Sequence, residues 1–106
     1  AEAQKLIEDA KLLASIGCFA LVLEKVPAAL AKRVAEEIPI PVIGIGAGPD
    51  VDGQVLVLHD MVGISHEFKP RFLRQYMQLF DAMQEAIGQY VQDVRSKDFP
   101  NSKEQY

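Results

Sequence analysis

Apolar residues recur along the chain in two different periods, and the changes of period predict its helices and strands. Over residues 1–16 apolar positions are three or four residues apart with charged residues between them, which predicts an amphipathic helix. A second helix is predicted from Pro27, with Leu30, Val34 and Ile38 in one stripe. Both helices are amphipathic and therefore need an apolar surface to cover.

Three short apolar runs predict strands, at residues 19–24, 41–48 and 54–60. The first run is almost unbroken, which is typical of a strand covered on both faces, as in a parallel sheet. The link between the second and third runs is too short for an ordinary crossover helix. Either one short turn of helix suffices there, or these two strands are not parallel.

A long helix is predicted from Pro70, and its apolar surface is large. One helical stripe consists of Phe72, Tyr76, Phe80, Met83, Ile87, Tyr90 and Val94. Four further apolar residues widen it: Leu73, Met77, Leu79 and Val91. A chain of this size cannot easily cover so much apolar surface, so we expect a partner chain to share it. The composition then turns polar, which predicts one domain over residues 1–95 and a loose tail over residues 96–106.

Composition narrows the possible classes of protein. The chain has 106 residues, of which 49% are apolar, a size and composition typical of one globular domain. Its formal charge of −4 and dispersed basic residues argue against a nucleic-acid partner. The single cysteine, Cys18, cannot form an internal disulfide and is predicted to be a buried, inert thiol. The chain has no signal-peptide pattern and no apolar run long enough to cross a membrane, so we expect a cytoplasmic protein. The helical pattern already includes Ala1, which indicates a chain that lacks its natural beginning.

Glu24 is the main candidate for chemistry. It ends the first apolar run, and strand alternation places it on the same face as the small Ala20 and Val22. In α/β folds chemistry lies at the carboxyl ends of parallel strands, where a glutamate can act as a general base. A capping glutamate, or one paired with Lys25, fits the same position, and both interpretations stay open.

Glycines at alternate positions mark the second strand. Gly44 and Gly46 would lie on one face and leave space for a ligand, or for another part of the backbone. With Gly48 they resemble a dinucleotide-binding loop, but Pro49 and Asp50 stand where a third glycine and a helix are required. Nucleotide binding is therefore not expected.

The two histidines are weaker candidates. His59 and Asp60 follow the third apolar run and form a possible acid–base pair, but they lack the spacing of a metal site, which favours a structural role. His66 is predicted to lie in a solvated loop. The order of elements is α/β, and it fits either part of a (β/α)8 barrel, which takes about 250 residues when complete, or a small open sheet.

Several blocks resemble one family, the ketopantoate hydroxymethyltransferases. In chain order they are Leu21-Val22-Leu23-Glu24 with Val26-Pro27, Leu30-Ala31-Lys32-Arg33, Ile40 to Gly48, Asp52 to Asp60, and Phe68 to Phe72. The resemblance covers nearly the whole chain but only the carboxyl-terminal part of the family's length.

The resemblance implies a fold and an activity. The fold would be a (β/α)8 barrel of the phosphoenolpyruvate mutase and isocitrate lyase type, with this chain supplying about strands six to eight and the final helices. Members transfer a hydroxymethyl group from 5,10-methylenetetrahydrofolate to 3-methyl-2-oxobutanoate, giving 2-dehydropantoate, with Mg²⁺. Glu24 matches the family's proton acceptor, whereas the magnesium ligands would lie outside this segment, so that the segment alone is expected to be inactive. Gly44 and Gly46, facing inward beside Glu24, would leave room for the substrate. Relatives of this barrel exchange their last helix between subunits, so the resemblance also implies a homo-oligomer with the long carboxyl-terminal helix at a subunit interface.

Overall fold

Seven elements follow one another along residues 1–67 and 69–106, the part of the chain that this computed structural model describes. They are α1 (Glu2–Ser15), β1 (Leu21–Glu24), α2 (Ala28–Glu37), β2 (Val42–Ile45), β3 (Gly53–Gln54), α3 (Leu58–Met61) and α4 (Leu79–Ser96). The chain divides into two compact units: Ala1–Val57 with Pro70–Leu73, and Leu58–Lys69 with Arg74–Tyr106. The predicted α/β class is confirmed, and α1, β1, α2 and β2 lie where the sequence places them.

The three strands of the first unit form one parallel sheet in the order β1-β2-β3. The link between β2 and β3 contains no helix, so the pair is parallel without an ordinary crossover. Asp52 explains how the short link returns, because its carboxylate accepts a hydrogen bond from the Val42 N–H at 2.8 Å and its own N–H donates to the Val42 carbonyl at 2.9 Å. The open alternative about this pair is thus resolved in favour of parallel strands.

The core of the first unit lies between α1, α2 and one face of the sheet. The buried apolar residues are Ile7, Ala10, Leu23, Ala31, Val34, Ile38, Val42 and Ala47. The stripe predicted from Pro27 contributes Val34 and Ile38 to this core. The apolar pattern predicted for α1 contributes Ile7 and Ala10, whereas Leu13, which also belongs to that pattern, is 38% exposed. The opposite face of β1 is open in the described chain, with Val22 63% exposed, and Phe19 lies before the strand at 89% exposed. The prediction that β1 is covered on both faces is therefore wrong for the described residues, because both helices pack on the Leu23 side.

Cys18 is half-buried in the structure rather than fully buried as predicted. It lies between α1 and β1, outside the buried core.

The third strand is much shorter than predicted. Its last ladder bond runs from the Val55 N–H to the Gly44 carbonyl at 3.0 Å. The chain then leaves the sheet, and Leu58–Met61 forms the single helical turn α3. A short apolar run fits a strand and a buried helix equally well, and here the pairing with β2 ends before the run does.

The long helix begins at Leu79, not at Pro70. Backbone N–H groups before and at its start are already bonded to the end of α3 and the residue after it: Tyr76 donates to the Met61 carbonyl at 2.7 Å, and Leu79 donates to the Val62 carbonyl at 2.9 Å. These bonds hold the segment in a non-helical path within the second unit. Periodicity along the sequence carries no trace of such pairing.

The helix α4 has no buried residue, so its predicted apolar face is exposed in the described chain. After Lys97, which adopts a left-handed conformation with φ 62°, the Phe99 N–H donates to the Asp93 carbonyl at 3.1 Å and its ring lies edge-on to Tyr90. The division of the chain at residue 95 stays a prediction. None of the described helices has the length and apolar character needed to cross a membrane.

Candidate functional site

Glu24 is the last residue of β1 and lies at the carboxyl edge of the parallel sheet. Its side chain is exposed. The register pairs it with Ile45 and pairs Val22 with Ile43. Because neighbouring residues in register point to the same side of a sheet, Glu24 shares its face with these β-branched residues. The predicted position of Glu24 at a strand's carboxyl end is therefore present in the structure.

Gly44 does not lie beside Glu24 on that face. Its partner in register is Leu23, so it belongs to the face that the helices cover. A Cβ added there would lie 3.1 Å from the Val51 Cγ2 atom and 3.4 Å from the Ala47 Cβ atom. The expectation that Gly44 opens space for a substrate is wrong, because the absent side chain makes room for the returning loop.

Gly46 follows β2 and has a φ of 65°, so the alternation of the strand no longer determines its direction. A Cβ added to Gly46 would lie 3.0 Å from the ring of Phe72. The glycine thus permits a close approach of an aromatic side chain. Of the two interpretations of these glycines, close packing is the one the structure shows.

The backbone turns sharply directly after Glu24. Lys25 has a φ of 54°, and its N–H donates to the Ile45 carbonyl at 2.9 Å. A left-handed conformation costs a residue with a side chain about 1–2 kcal/mol, so the surrounding structure must hold Lys25 in place. Within the described residues, Glu24 forms no ion pair with Lys25, and no side chain caps α2. Neither of the structural roles considered for Glu24 is therefore present in the described chain.

A cleft of about 530 Å³ opens at the carboxyl ends of β1 and β2, within the first unit. We call it the Lys25–Arg71 cleft; it is lined by Lys25, Val26, Pro27, Ala28, Gly46, Arg71 and Phe72. Glu24 is not among its lining residues, although it directly precedes one of them. The sequence analysis missed this cleft, because Arg71 is far from Lys25 along the chain and no spacing signal connects the two.

The histidines lie elsewhere. His59 is exposed and Asp60 is half-buried on α3, so the pair does not end a strand as predicted. His66 lies in a loop, as expected, and its ring stacks on Phe80 with 4.3 Å between the ring centroids. Among the described residues, no three His, Cys, Asp or Glu side chains are grouped so that they could hold a metal ion. The described residues thus do not fit a magnesium site of their own.

The sequence of this chain matches a known family. A model of the ketopantoate hydroxymethyltransferase family matches residues 1–102. The chain belongs to that family. The resemblance predicted from the sequence blocks is thereby confirmed.

Several curated relatives are similar over almost the whole chain. A 3-methyl-2-oxobutanoate hydroxymethyltransferase of Flavobacterium johnsoniae is 66% identical over 99% of this chain and 39% of the relative. Proteins with the same name from Parabacteroides distasonis and Bacteroides fragilis (strain NCTC 9343) are 67% and 66% identical over 100% of this chain and 39% of each relative. The chain therefore spans about 39% of the length of these relatives.

Proposed function

We propose that the chain is part of an enzyme that transfers a hydroxymethyl group from 5,10-methylenetetrahydrofolate to 3-methyl-2-oxobutanoate, giving 2-dehydropantoate in pantothenate biosynthesis. The observation that carries the proposal is the identity of 66% to a protein of that activity by name, over nearly the whole chain. The family match over residues 1–102 supports it.

In this proposal Glu24 is the proton acceptor. Its carboxylate would take the proton from C3 of the 2-oxo acid, the carbon next to the ketone, and leave an enolate. Water would release the methylene carbon of the folate from N5 and N10 as formaldehyde, and the two hydrogens of the water would pass to these nitrogens of tetrahydrofolate. C3 of the enolate would then bond to the formaldehyde carbon, and the formaldehyde oxygen would take up the proton held by Glu24 and become the hydroxyl group. The exposed position of Glu24 at the carboxyl edge of parallel strands supports this role, since such edges carry the reacting groups in barrel enzymes.

The proposal includes parts beyond this chain. The strands β1, β2 and β3 would be the sixth, seventh and eighth of a (β/α)8 barrel, which their parallel pairing in chain order supports. The family's use of Mg²⁺ belongs to the proposal too, with ligands in the part of the relatives that this chain does not span. A cytoplasmic location is also proposed, supported by the single, free Cys18.

Exchange of the C3 proton in deuterated buffer tests the role of Glu24. In the complete polypeptide that carries this sequence, Glu24→Gln should slow the exchange by about 100-fold or more, because a positioned base contributes about 10²–10⁴-fold to such a step. Glu36→Gln is the matched control, since Glu36 is also exposed and lies on the neighbouring helix α2. Exchange at the same rate in Glu24→Gln and in the control would remove Glu24 from the mechanism.

We also propose that copies of the chain associate through α4. This helix of 18 residues has no buried residue, and its exposed apolar side chains include Ile87 at 63% and Tyr90 at 55%. An exposed apolar face of this kind is typical of a surface that another chain covers. In sedimentation, Ile87→Lys should give a smaller species than Gln92→Lys, which places the same charge at an exposed position of α4 about 140° around the helix from Ile87. A wild-type monomer would refute the association.

The alternative function is a non-catalytic partial barrel that only associates through α4. Its specific support is the same uncovered helix. The two functions differ in one observable, because the alternative predicts an assembled wild-type protein that does not exchange the C3 proton.

A further inference from the structure

The Lys25–Arg71 cleft has a one-sided charge. Two of its lining residues, Lys25 and Arg71, are basic, and none of its lining residues is acidic. Three other basic residues of the first unit form ion pairs, Lys5 with Asp9 and both Lys11 and Arg33 with Glu37, whereas Lys32 forms none among the described residues. Within residues 1–67 and 69–106, neither Lys25 nor Arg71 takes part in an ion pair. Two like charges at one cleft favour an anionic ligand between them.

The backbone on both sides of the cleft is fixed. Lys25 is held in its left-handed conformation by the hydrogen bond from its N–H to the Ile45 carbonyl at 2.9 Å. On the other side, the Leu73 N–H donates to the Pro70 carbonyl at 2.9 Å and closes a turn around Arg71 and Phe72. The ring of Phe72 lies against Gly46, where a Cβ would come within 3.0 Å. The two cations are therefore presented by anchored segments rather than by a loose loop, which reduces the ordering cost of binding.

We propose that the Lys25–Arg71 cleft binds a carboxylate of the enzyme's ligand, and that this carboxylate belongs to the glutamate end of the folate. The proposal rests on the proposed function, which supplies two carboxylate sources, the 2-oxo acid and the folate. Both cations can donate charge-assisted hydrogen bonds to a carboxylate, and arginine can do so with two parallel bonds.

The position of Glu24 favours the folate as the source. The reacting carbon of the 2-oxo acid must lie at the Glu24 carboxylate, and Glu24 is not a lining residue of the cleft. The cleft begins only one residue further on, across the turn at Lys25, and therefore suits a group that extends away from the reacting carbon. Its volume of about 530 Å³ is also more than a five-carbon acid needs and is in the range of about 300–1,000 Å³ that larger ligands occupy.

The test compares three ligands by calorimetric titration of the complete polypeptide: tetrahydrofolate with one glutamate, the same compound with four glutamates, and 3-methyl-2-oxobutanoate. The wild type should bind the tetraglutamyl form more tightly than the monoglutamyl form. Lys25→Gln and Arg71→Gln should each weaken the tetraglutamyl form by about threefold to tenfold, as expected for one partly exposed charged contact. Added salt should reduce the preference of the wild type for the tetraglutamyl form. Neither substitution should change the affinity for the 2-oxo acid.

Lys32→Gln is the matched control, because Lys32 is exposed on α2 and does not line the cleft. A loss of folate affinity in Lys32→Gln equal to that in the cleft variants would overturn the proposal, since a general loss of positive charge would explain it. A loss confined to the 2-oxo acid would overturn the assignment to the folate, and so would a wild type that binds neither folate. Failure of the proposed function has a separate readout, the absence of C3 proton exchange in the wild type.

Discussion

Gly48 is the position where a single added methyl group should be most informative. It has a φ of 79°, a conformation that residues with a side chain rarely adopt. A Cβ added there would lie 2.5 Å from the Ala28 Cβ atom and 3.1 Å from the Ala28 Cα atom. The second of these atoms belongs to the backbone at the start of α2, so a side-chain rotation cannot relieve the crowding.

The expected cost of Gly48→Ala follows from two terms. The left-handed conformation costs alanine about 1 kcal/mol, and forcing a methyl group into a packed contact costs about 1–3 kcal/mol. The reduced entropy of the unfolded chain returns about 0.5 kcal/mol. Gly48→Ala should therefore lower the free energy of unfolding by about 1.5–3.5 kcal/mol.

Two other glycines separate these terms. Gly17 has a φ of 102° but no neighbour within 4 Å, so Gly17→Ala carries only the conformational term and should cost about 0.5–1 kcal/mol. Gly88 lies inside α4 with open space around it, and Gly88→Ala should stabilise that helix by about 0.5–1 kcal/mol. Urea unfolding gives the change in the free energy of unfolding for each of the three variants, provided that the slope of this free energy against urea concentration is the same in each.

The comparison can refute the reasoning directly. If Gly48→Ala costs no more than Gly17→Ala, the close approach to Ala28 does not exist in solution. The double variant Gly48→Ala with Ala28→Gly gives a second check, because it removes the clash between the two methyl groups but keeps the crowding against the backbone of residue 28. The double variant should therefore have a higher free energy of unfolding than the sum of the two single effects predicts.

Two further predictions concern α1 and its contact with α2. Ile7 is 1% exposed and Leu12, on the same helix, is 58% exposed. In thermal unfolding, Ile7→Ala should therefore lower the free energy of unfolding by about 2–4 kcal/mol and Leu12→Ala by less than about 1 kcal/mol. Similar losses in the two variants would contradict the placement of the core. The hydrogen bond from Lys11, and to a lesser extent the one from Arg33, lowers the pKa of Glu37 from its ordinary value of 4.5. The ion pairs of Glu37 therefore stabilise the fold above pH 4.5, and this stabilisation is lost as the pH falls through the lowered pKa. Lys11→Met should therefore shift acid unfolding to higher pH, and an unchanged midpoint would show that the link contributes nothing.

Local sequence patterns were sufficient to predict the secondary structure of the first half of the chain. The helices α1 and α2 have clear apolar stripes, and glycine or proline residues stand at their ends, so their type and bounds follow from short stretches of sequence. The later elements depend on pairing with distant segments. The end of β3 is set by its partner β2. The start of α4 is set by hydrogen bonds from Tyr76 to Met61, the last residue of α3, and from Leu79 to Val62.

The candidate site shows the same division between local and distant information. Alternation correctly places Glu24 with Val22, and it correctly places Gly44 opposite Ile43. It does not give the register between two strands, and a shift of one residue moves every side chain to the other face. The observed register puts Gly44 beside Leu23, which is why the expected opening beside Glu24 is absent there.

The turn at Lys25 connects the proposed base to the proposed carboxylate site, and it determines which substitution can test them separately. Lys25→Gly would remove the charge and also relax the left-handed backbone at φ 54°, so a change in C3 proton exchange could come from movement of Glu24. Lys25→Gln removes the charge and leaves the strained turn in place. If the two roles are separate, Lys25→Gln should weaken binding of the tetraglutamyl folate while C3 proton exchange in the 2-oxo acid keeps its wild-type rate. An equal loss of both would mean that Lys25 acts through the position of Glu24.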